Sequence, residues 1–389
     1  MRLTPRRVVA LGPLVVLVLA AGLLGSAWHT SASRVTSSPA GGSAPLAAAH
    51  SLPLQQLAGE RIVYAYAGLR PPSSLLNAIR AGQAAGVIFF SNNIASPSQI
   101  RGVIAQLQRA SLASPLHTRL LMMTDQEGGE VRRLPGAPAL SEKQIGESPH
   151  GVTLARSAGD GAGRNLGSVG INVNLAPVLD VYRQAGNFID EFGRSYSSNA
   201  ASVAALGGAF ISSQQRTGVA ATAKHFPGLG AASRGQNTDL GPVTLRLSTS
   251  TLRSVDESPY RAALAAGVKL VMTSWAVYPA LDPHRPAGLS PLVIGGELRG
   301  RLGFHGVTIT DGIDAGAVTP FGSLARRSVL AAAAGADLIL CAATNPAANS
   351  PSIGSTVLHA ITSALSGNQL SRSAAQKAAD RVLALRSQT

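Results

Sequence analysis

The sequence is short of cysteine, aromatics and acid. A single cysteine, Cys341, stands among 389 residues, so no disulfide can form within the chain. It lies in the apolar run 337–341 and reads as a small core residue of a buried strand, not a reactive thiol. Aromatics make up 4%, so aliphatic side chains must build the core. Charged residues are 13% against 45% hydrophobic, which excludes disorder of the whole chain. Acids number 19 against 33 Lys and Arg, for a formal net charge of +14. The basic residues are scattered, however, with no long basic run and no interleaved aromatics, so they read as a solvated surface and not as a nucleic-acid interface. Histidines show no paired spacing, and no metal or other cofactor is expected.

Three regions are expected. Residues 1–33 begin with Arg2, Arg6 and Arg7, continue as an apolar stretch over 8–28 and end in small residues, the pattern of an export signal. That stretch is also nearly long enough for an uncleaved membrane anchor, so a tether is the alternative to cleavage. Residues 34–57, rich in Ser, Ala, Pro and Gly, read as a flexible spacer. Residues 58–389 read as a single catalytic domain. There, short apolar runs at 62–66, 86–90, 120–124, 171–175, 219–223, 269–273, 307–310 and 337–341 alternate with helix-like stretches such as 97–110, 203–217 and 324–334. A closing amphipathic helix is expected over 371–386. This alternation predicts an α/β fold, a closed (β/α)8 barrel of TIM type. A doubly wound open sheet is the runner-up, but the segment Gly68-Leu-Arg-Pro-Pro72 makes a poor phosphate loop after its first strand.

Polar residues cluster just after the predicted strands, where a parallel barrel builds its active face. They stand in the motifs Asp125-Gln-Glu127-Gly-Gly-Glu-Val-Arg-Arg133, Asn174-Leu-Ala-Pro-Val-Leu-Asp180, Gly193-Arg194-Ser-Tyr196, Lys224-His225-Phe-Pro-Gly228 and Thr310-Asp311-Gly312-Ile313. Carboxylates with Lys and His in one pocket suit a sugar: they hold hydroxyls, and one carboxylate can attack the anomeric carbon. In this order the motifs resemble glycoside hydrolase family 3, in particular its single-barrel β-N-acetylhexosaminidase branch of the bacterial cell-wall recycling type. The likeness runs from about Leu57 onward.

The resemblance implies a retaining mechanism through a covalent glycosyl–enzyme, with Asp311 at the nucleophile position. It implies sugar contacts by Asp125, Arg133, Arg194, Lys224 and His225, with Met272 at the pocket floor. Glu127 is expected to be structural, bonded to backbone amides of its Gly-Gly turn, and Asp180 to tie the loop after the fourth strand. The sequence departs from the family pattern in three places. The loop that usually carries a His–Asp acid/base pair here reads Leu229 to Asp239 and holds no His; Trp275 stands where many relatives have His; Gly312 stands where many have Asp. Asp239, the only carboxylate between Lys224 and Leu240, is the expected substitute acid/base. The expected function is an exported retaining β-glycosidase acting on a carbohydrate substrate, foremost N-acetylglucosaminides of cell-wall type. A β-glucosidase or β-xylosidase of the same fold, a non-catalytic sugar-binding barrel and an envelope-binding structural protein are the alternatives. Oligomeric state is not legible in the sequence.

Overall fold

A computed structural model of the chain describes residues 49–389. The apolar stretch at 8–28 and most of the expected spacer lie outside the described residues. Among the described residues no helix is long and apolar enough to cross a membrane.

Eight parallel strands close a barrel in sequential order. They are β1 (Ile62–Tyr64), β2 (Gly86–Ile88), β3 (Leu121–Thr124), β4 (Val173–Asn174), β5 (Ala220–Phe226), β6 (Leu270–Thr273), β7 (Val307–Gly312) and β8 (Leu338–Cys341). Each falls on one of the predicted runs. The outer helices are α1 (Leu54–Gly59), α2 (Ser73–Arg80), α3 (Pro97–Leu112), α4 (Gly151–Val169), α5 (Ala200–Gln215), α6 (Ser258–Ala265), α7 (Leu324–Ala334), α8 (Pro351–Ser366) and α9 (Arg372–Arg386). The helical position between β6 and β7 is taken by a π-helical stretch, Leu292–Arg301.

The eight-strand closure follows from side-chain period. Along a strand, alternate residues face opposite sides. Val63, Leu121, Met123, Leu270, Met272, Val307, Ile309, Leu338 and Leu340 fill the lumen as one apolar cluster. Ile62, Tyr64, Met122, Ile339 and Cys341 point outward into the layer beneath the helices. Both faces are therefore apolar, which is why the runs are continuous rather than alternating.

The folded body begins earlier than expected. Residues 49–57, assigned to the spacer, include helical turns, and Ala49, Leu52 and Leu57 are buried. Composition rich in small residues resembles a linker, but here Ala49, Leu52 and Leu57 pack into the apolar layer beneath the helices. Glu60, just after α1, forms a buried ion pair with Arg386 of α9, joining the two ends of the domain. Asp337, at the start of β8, accepts from Arg299 at 2.6 Å, from Arg381 at 2.7 Å and from the Thr308 amide at 2.8 Å.

Helices α4 and α5 approach closely through glycine. A β-carbon on Gly159 would stand 2.3 Å from the Phe210 carbonyl oxygen, and one on Gly163 would stand 2.1 Å from the Thr217 hydroxyl. By contrast, a β-carbon on the exposed Gly102 of α3 would meet nothing within 4 Å. Gly159→Ala is therefore expected to lower stability by about 1–3 kcal/mol through overpacking, whereas Gly102→Ala is expected to raise it by about 0.5–1 kcal/mol through helix propensity. Urea unfolding of the two variants checks the opposite signs.

Candidate active site

One cleft of about 270 Å³ opens at the C-terminal ends of the strands. All eight residues singled out from the sequence line it: Asp125, Arg133, Arg194, Lys224, His225, Asp239, Met272 and Asp311. The barrel brings them there from separate elements. Asp125 directly follows β3, Lys224 and His225 stand near the end of β5, Met272 is in β6 and Asp311 is in β7. Arg133 follows the small hairpin Gln126–Gly128/Val131–Arg132, and Arg194 and Asp239 come from the loops after β4 and β5.

The floor is an ionic network. Lys224 is 2% exposed, and its Nζ meets Asp125 at 2.9 Å and Glu127 at 2.7 Å. Glu127 also takes both arms of Arg194, with Nε and Nη2 each at 2.9 Å. Burial alone would raise the Glu127 carboxyl, but Arg194 and then Lys224 outweigh it and hold the group down at about 2. Asp125 is likewise lowered: burial opposes ionisation, and the Lys224 and Arg133 charges overcome it. The partners of Glu127 are thus cations and not the amides of its turn. Arg194, whose Nε and Nη2 hold Glu127, also lines the cleft. The Nε of Arg133 is buried without a hydrogen-bond partner, so this guanidinium retains donors for a ligand.

His225 is set by Asp180. The ring Nδ1 lies 2.8 Å from Asp180 Oδ2, while Asp180 Oδ1 accepts from the His225 amide at 3.3 Å and the Leu229 amide at 2.6 Å. With Nδ1 so engaged, Nε2 is the ring atom left to meet a hydroxyl. Asp180, on the loop after β4, thus ties the end of β5 and the loop that follows it.

Asp239 lines the same cleft as Asp311. Its loop is docked on the segment that follows β7: the Gly316 amide donates to the Asp239 carbonyl at 2.8 Å and the Ala317 amide to the Thr238 carbonyl at 3.0 Å. Within the loop, the Asn237 side chain accepts from the Asp239 amide at 2.8 Å. Although Asp239 is exposed at the cleft mouth, the surrounding walls desolvate its carboxyl, and the nearby charge of Asp311 adds to this. Together they push it up to about 6 against the opposing pull of Arg194 and His225. Asp311 Oδ1 accepts from the Gly312 amide at 2.7 Å. Two of the departures from the family pattern touch each other: the buried Trp275 indole donates to the Gly312 carbonyl at 2.9 Å, fixing the peptide beside Asp311.

Sequence reasoning missed the cleft's aromatic wall. Phe90, Phe188 and Phe192 line it, yet none belongs to a motif, and a lone Phe carries no signal of which surface it will face. No group of three or more His, Cys, Asp or Glu among the described residues has the arrangement of a metal site.

Comparison with known proteins agrees with this geometry. The model of the glycosyl hydrolase family 3 N-terminal domain matches residues 54–385. An uncharacterized secreted glycosyl hydrolase of Arthroderma benhamiae is 46% identical over 88% of this chain and 95% of its own. A beta-hexosaminidase of Pseudomonas aeruginosa is 33% identical over 67% of this chain and 75% of its own. Among solved structures, a family 3 beta-N-acetylglucosaminidase from Paenibacillus superposes with a TM-score of 0.81 at 34% identity, over 87% of this chain; the match spans 63% of that longer protein. A beta-N-acetylhexosaminidase from Beutenbergia cavernae superposes with a TM-score of 0.78 at 30% identity, over 87% of this chain and 99% of its own.

The network makes a direct prediction. Lys224→Met removes the shared cation from two carboxylates and is expected to cost about 3–5 kcal/mol. Thermal and denaturant unfolding check the loss, which should exceed that of any surface Lys substitution.

Proposed function

The chain belongs to glycosyl hydrolase family 3, and from that membership we propose that it is an exported retaining β-glycosidase that removes terminal β-linked sugars, foremost N-acetylglucosaminides. The observation that carries this reading is the convergence of Asp311, Asp239 and the sugar-holding set on one cleft. The hexosaminidase relatives support the choice of sugar. The secreted relative and the basic, then apolar, N-terminal sequence support export.

In the first half-reaction, a carboxylate oxygen of Asp311 bonds to the anomeric carbon as the bond to the leaving oxygen breaks. Asp239 gives its proton to that oxygen, and the aglycone leaves as an alcohol. In the second, Asp239, now ionised, takes a proton from water as its oxygen attacks the anomeric carbon, and the bond to Asp311 breaks. Asp239 suits both roles because a carboxyl held near 6 is populated in each form around neutral pH. Asp125, Lys224 and His225 hold hydroxyls of the bound sugar, and Arg133 supplies the free guanidinium donors. Arg194 and Lys224 keep Glu127 ionised, and Lys224 and Arg133 keep Asp125 ionised, so that neither competes as the acid.

The reading has two tests. Asp311→Ala is expected to abolish release of 4-nitrophenol from the β-N-acetylglucosaminide and from the β-glucoside, and the faster substrate of the unmodified enzyme identifies the preferred sugar. Binding of N-acetylglucosamine without turnover would instead mark a non-catalytic barrel. Asp239→Asn is expected to slow unactivated glycosides by roughly 10²–10⁴-fold while sparing activated aryl glycosides. Because the acid must be protonated in the free enzyme, kcat/KM for an unactivated glycoside should fall as pH rises through about 6. That limb should vanish in Asp239→Asn; equal losses on both substrate types would exclude the acid role.

A further inference from the structure

Phe192 is the only aromatic among the large apolar side chains left exposed in the described residues, at 44%, and it lines the active cleft. An apolar ring kept in water forgoes burial, so its surroundings must explain why it stays there. They do so by rigidity. Phe192 ends a single 3-10 turn, Asp190–Phe192, whose other side chains are tied down. Asp190 is buried and accepts from Lys143 Nζ and the Gly186 amide, both at 2.7 Å. Glu191 pairs with Arg234 of the loop after β5 at 2.8 Å. After the turn, Gly193 takes a left-handed conformation, φ 64°, and its carbonyl accepts from the Lys143 amide at 3.2 Å. The next residue is Arg194, locked onto Glu127. Every neighbour of Phe192 in the turn is therefore anchored, and the ring alone is presented to the cleft.

The ring's place among the cleft residues says what it meets. The deep floor is polar and takes the sugar that is cut off. Phe192 shares the cleft with the groups that form and break the glycosidic bond, on the loop that Arg234 staples to the one carrying Asp239. Building on the glycosidase reading, we propose that Phe192 is the platform of an aglycone subsite, stacking on the apolar face of the sugar ring that follows the scissile bond. A pyranose in β-linkage presents a flat face of C–H groups, which an aromatic ring carried on an anchored turn covers with little loss of backbone freedom. The subsite thus selects leaving groups that are themselves sugars, and the same contact captures a sugar acceptor when the glycosyl–enzyme is resolved by transfer instead of by water.

Two substrates separate this role from a structural one. N,N′-diacetylchitobiose fills the aglycone subsite, whereas β-N-acetylglucosaminyl fluoride has only fluoride there. For Phe192→Ala we expect kcat/KM on chitobiose to fall about tenfold, and the value on the fluoride to stay within about twofold. Phe192→Trp should keep chitobiose activity, because a larger ring preserves the platform. Transfer to added N-acetylglucosamine, measured against hydrolysis, should fall in Phe192→Ala alone. Equal losses on both substrates, or no loss on either, would overturn the subsite. An unmodified enzyme inactive on both chitobiose and the fluoride would overturn the glycosidase reading itself, and the subsite with it.

Discussion

Lys224 is a full positive charge with almost no access to water, and the cleft is arranged around what that charge requires. An ammonium taken out of water is tolerated only where carboxylates meet it closely. Asp125, from the end of β3, and Glu127, two residues on, supply that need. Glu127 in turn requires a second cation, because Lys224 is shared, and Arg194 arrives from the loop after β4 with two parallel hydrogen bonds. A single buried charge thus fixes three consecutive barrel edges against one another. The result is a preorganised polar floor whose protonation states hold steady across physiological pH, leaving proton transfer to a group elsewhere.

That group is supported by a second set of ties. The loop after β5 lacks the histidine common in the branch it resembles, and it is held on several sides. Asp180 accepts from the Leu229 amide, and the Gly230 carbonyl accepts from the Arg183 amide and the Asn187 side chain at 2.9 and 2.8 Å. At its far end the loop rests on Gly316, where a β-carbon would stand 2.3 Å from the Leu240 carbonyl oxygen. Desolvation and the nearby charge of Asp311 disfavour ionisation of the Asp239 carboxyl on this anchored loop. Two of the altered residues also touch each other: Gly312 places no side chain beside Asp311, and the Trp275 indole holds the peptide there.

Much of this was legible in the sequence because strand–helix alternation is a short-range signal. The runs at 121–124, 270–273 and 338–341 lie within the predicted ones, since a strand buried on both faces must be apolar throughout. The eight cleft residues were legible through motifs at strand ends, where barrel geometry gathers side chains regardless of their separation in sequence. The domain's start was misread: the stretch before Leu57 has a linker's composition, yet Leu52 and Leu57 are core. Composition cannot tell a small-residue linker from a small-residue helix when the deciding contact is with another part of the chain.

The sequence by itself determined the barrel, the family and the motif residues of the cleft, because periodicity and motif spacing are local and survive without coordinates. Only the tertiary structure decided which charges meet. It joined Arg194 to Glu127, gave Asp180 to His225 and the Leu229 amide, joined Trp275 to Gly312 and left Phe192 bare at the cleft. Ion pairing, desolvation and exposure depend on distances between residues far apart in the chain, and those distances exist only once the barrel has closed.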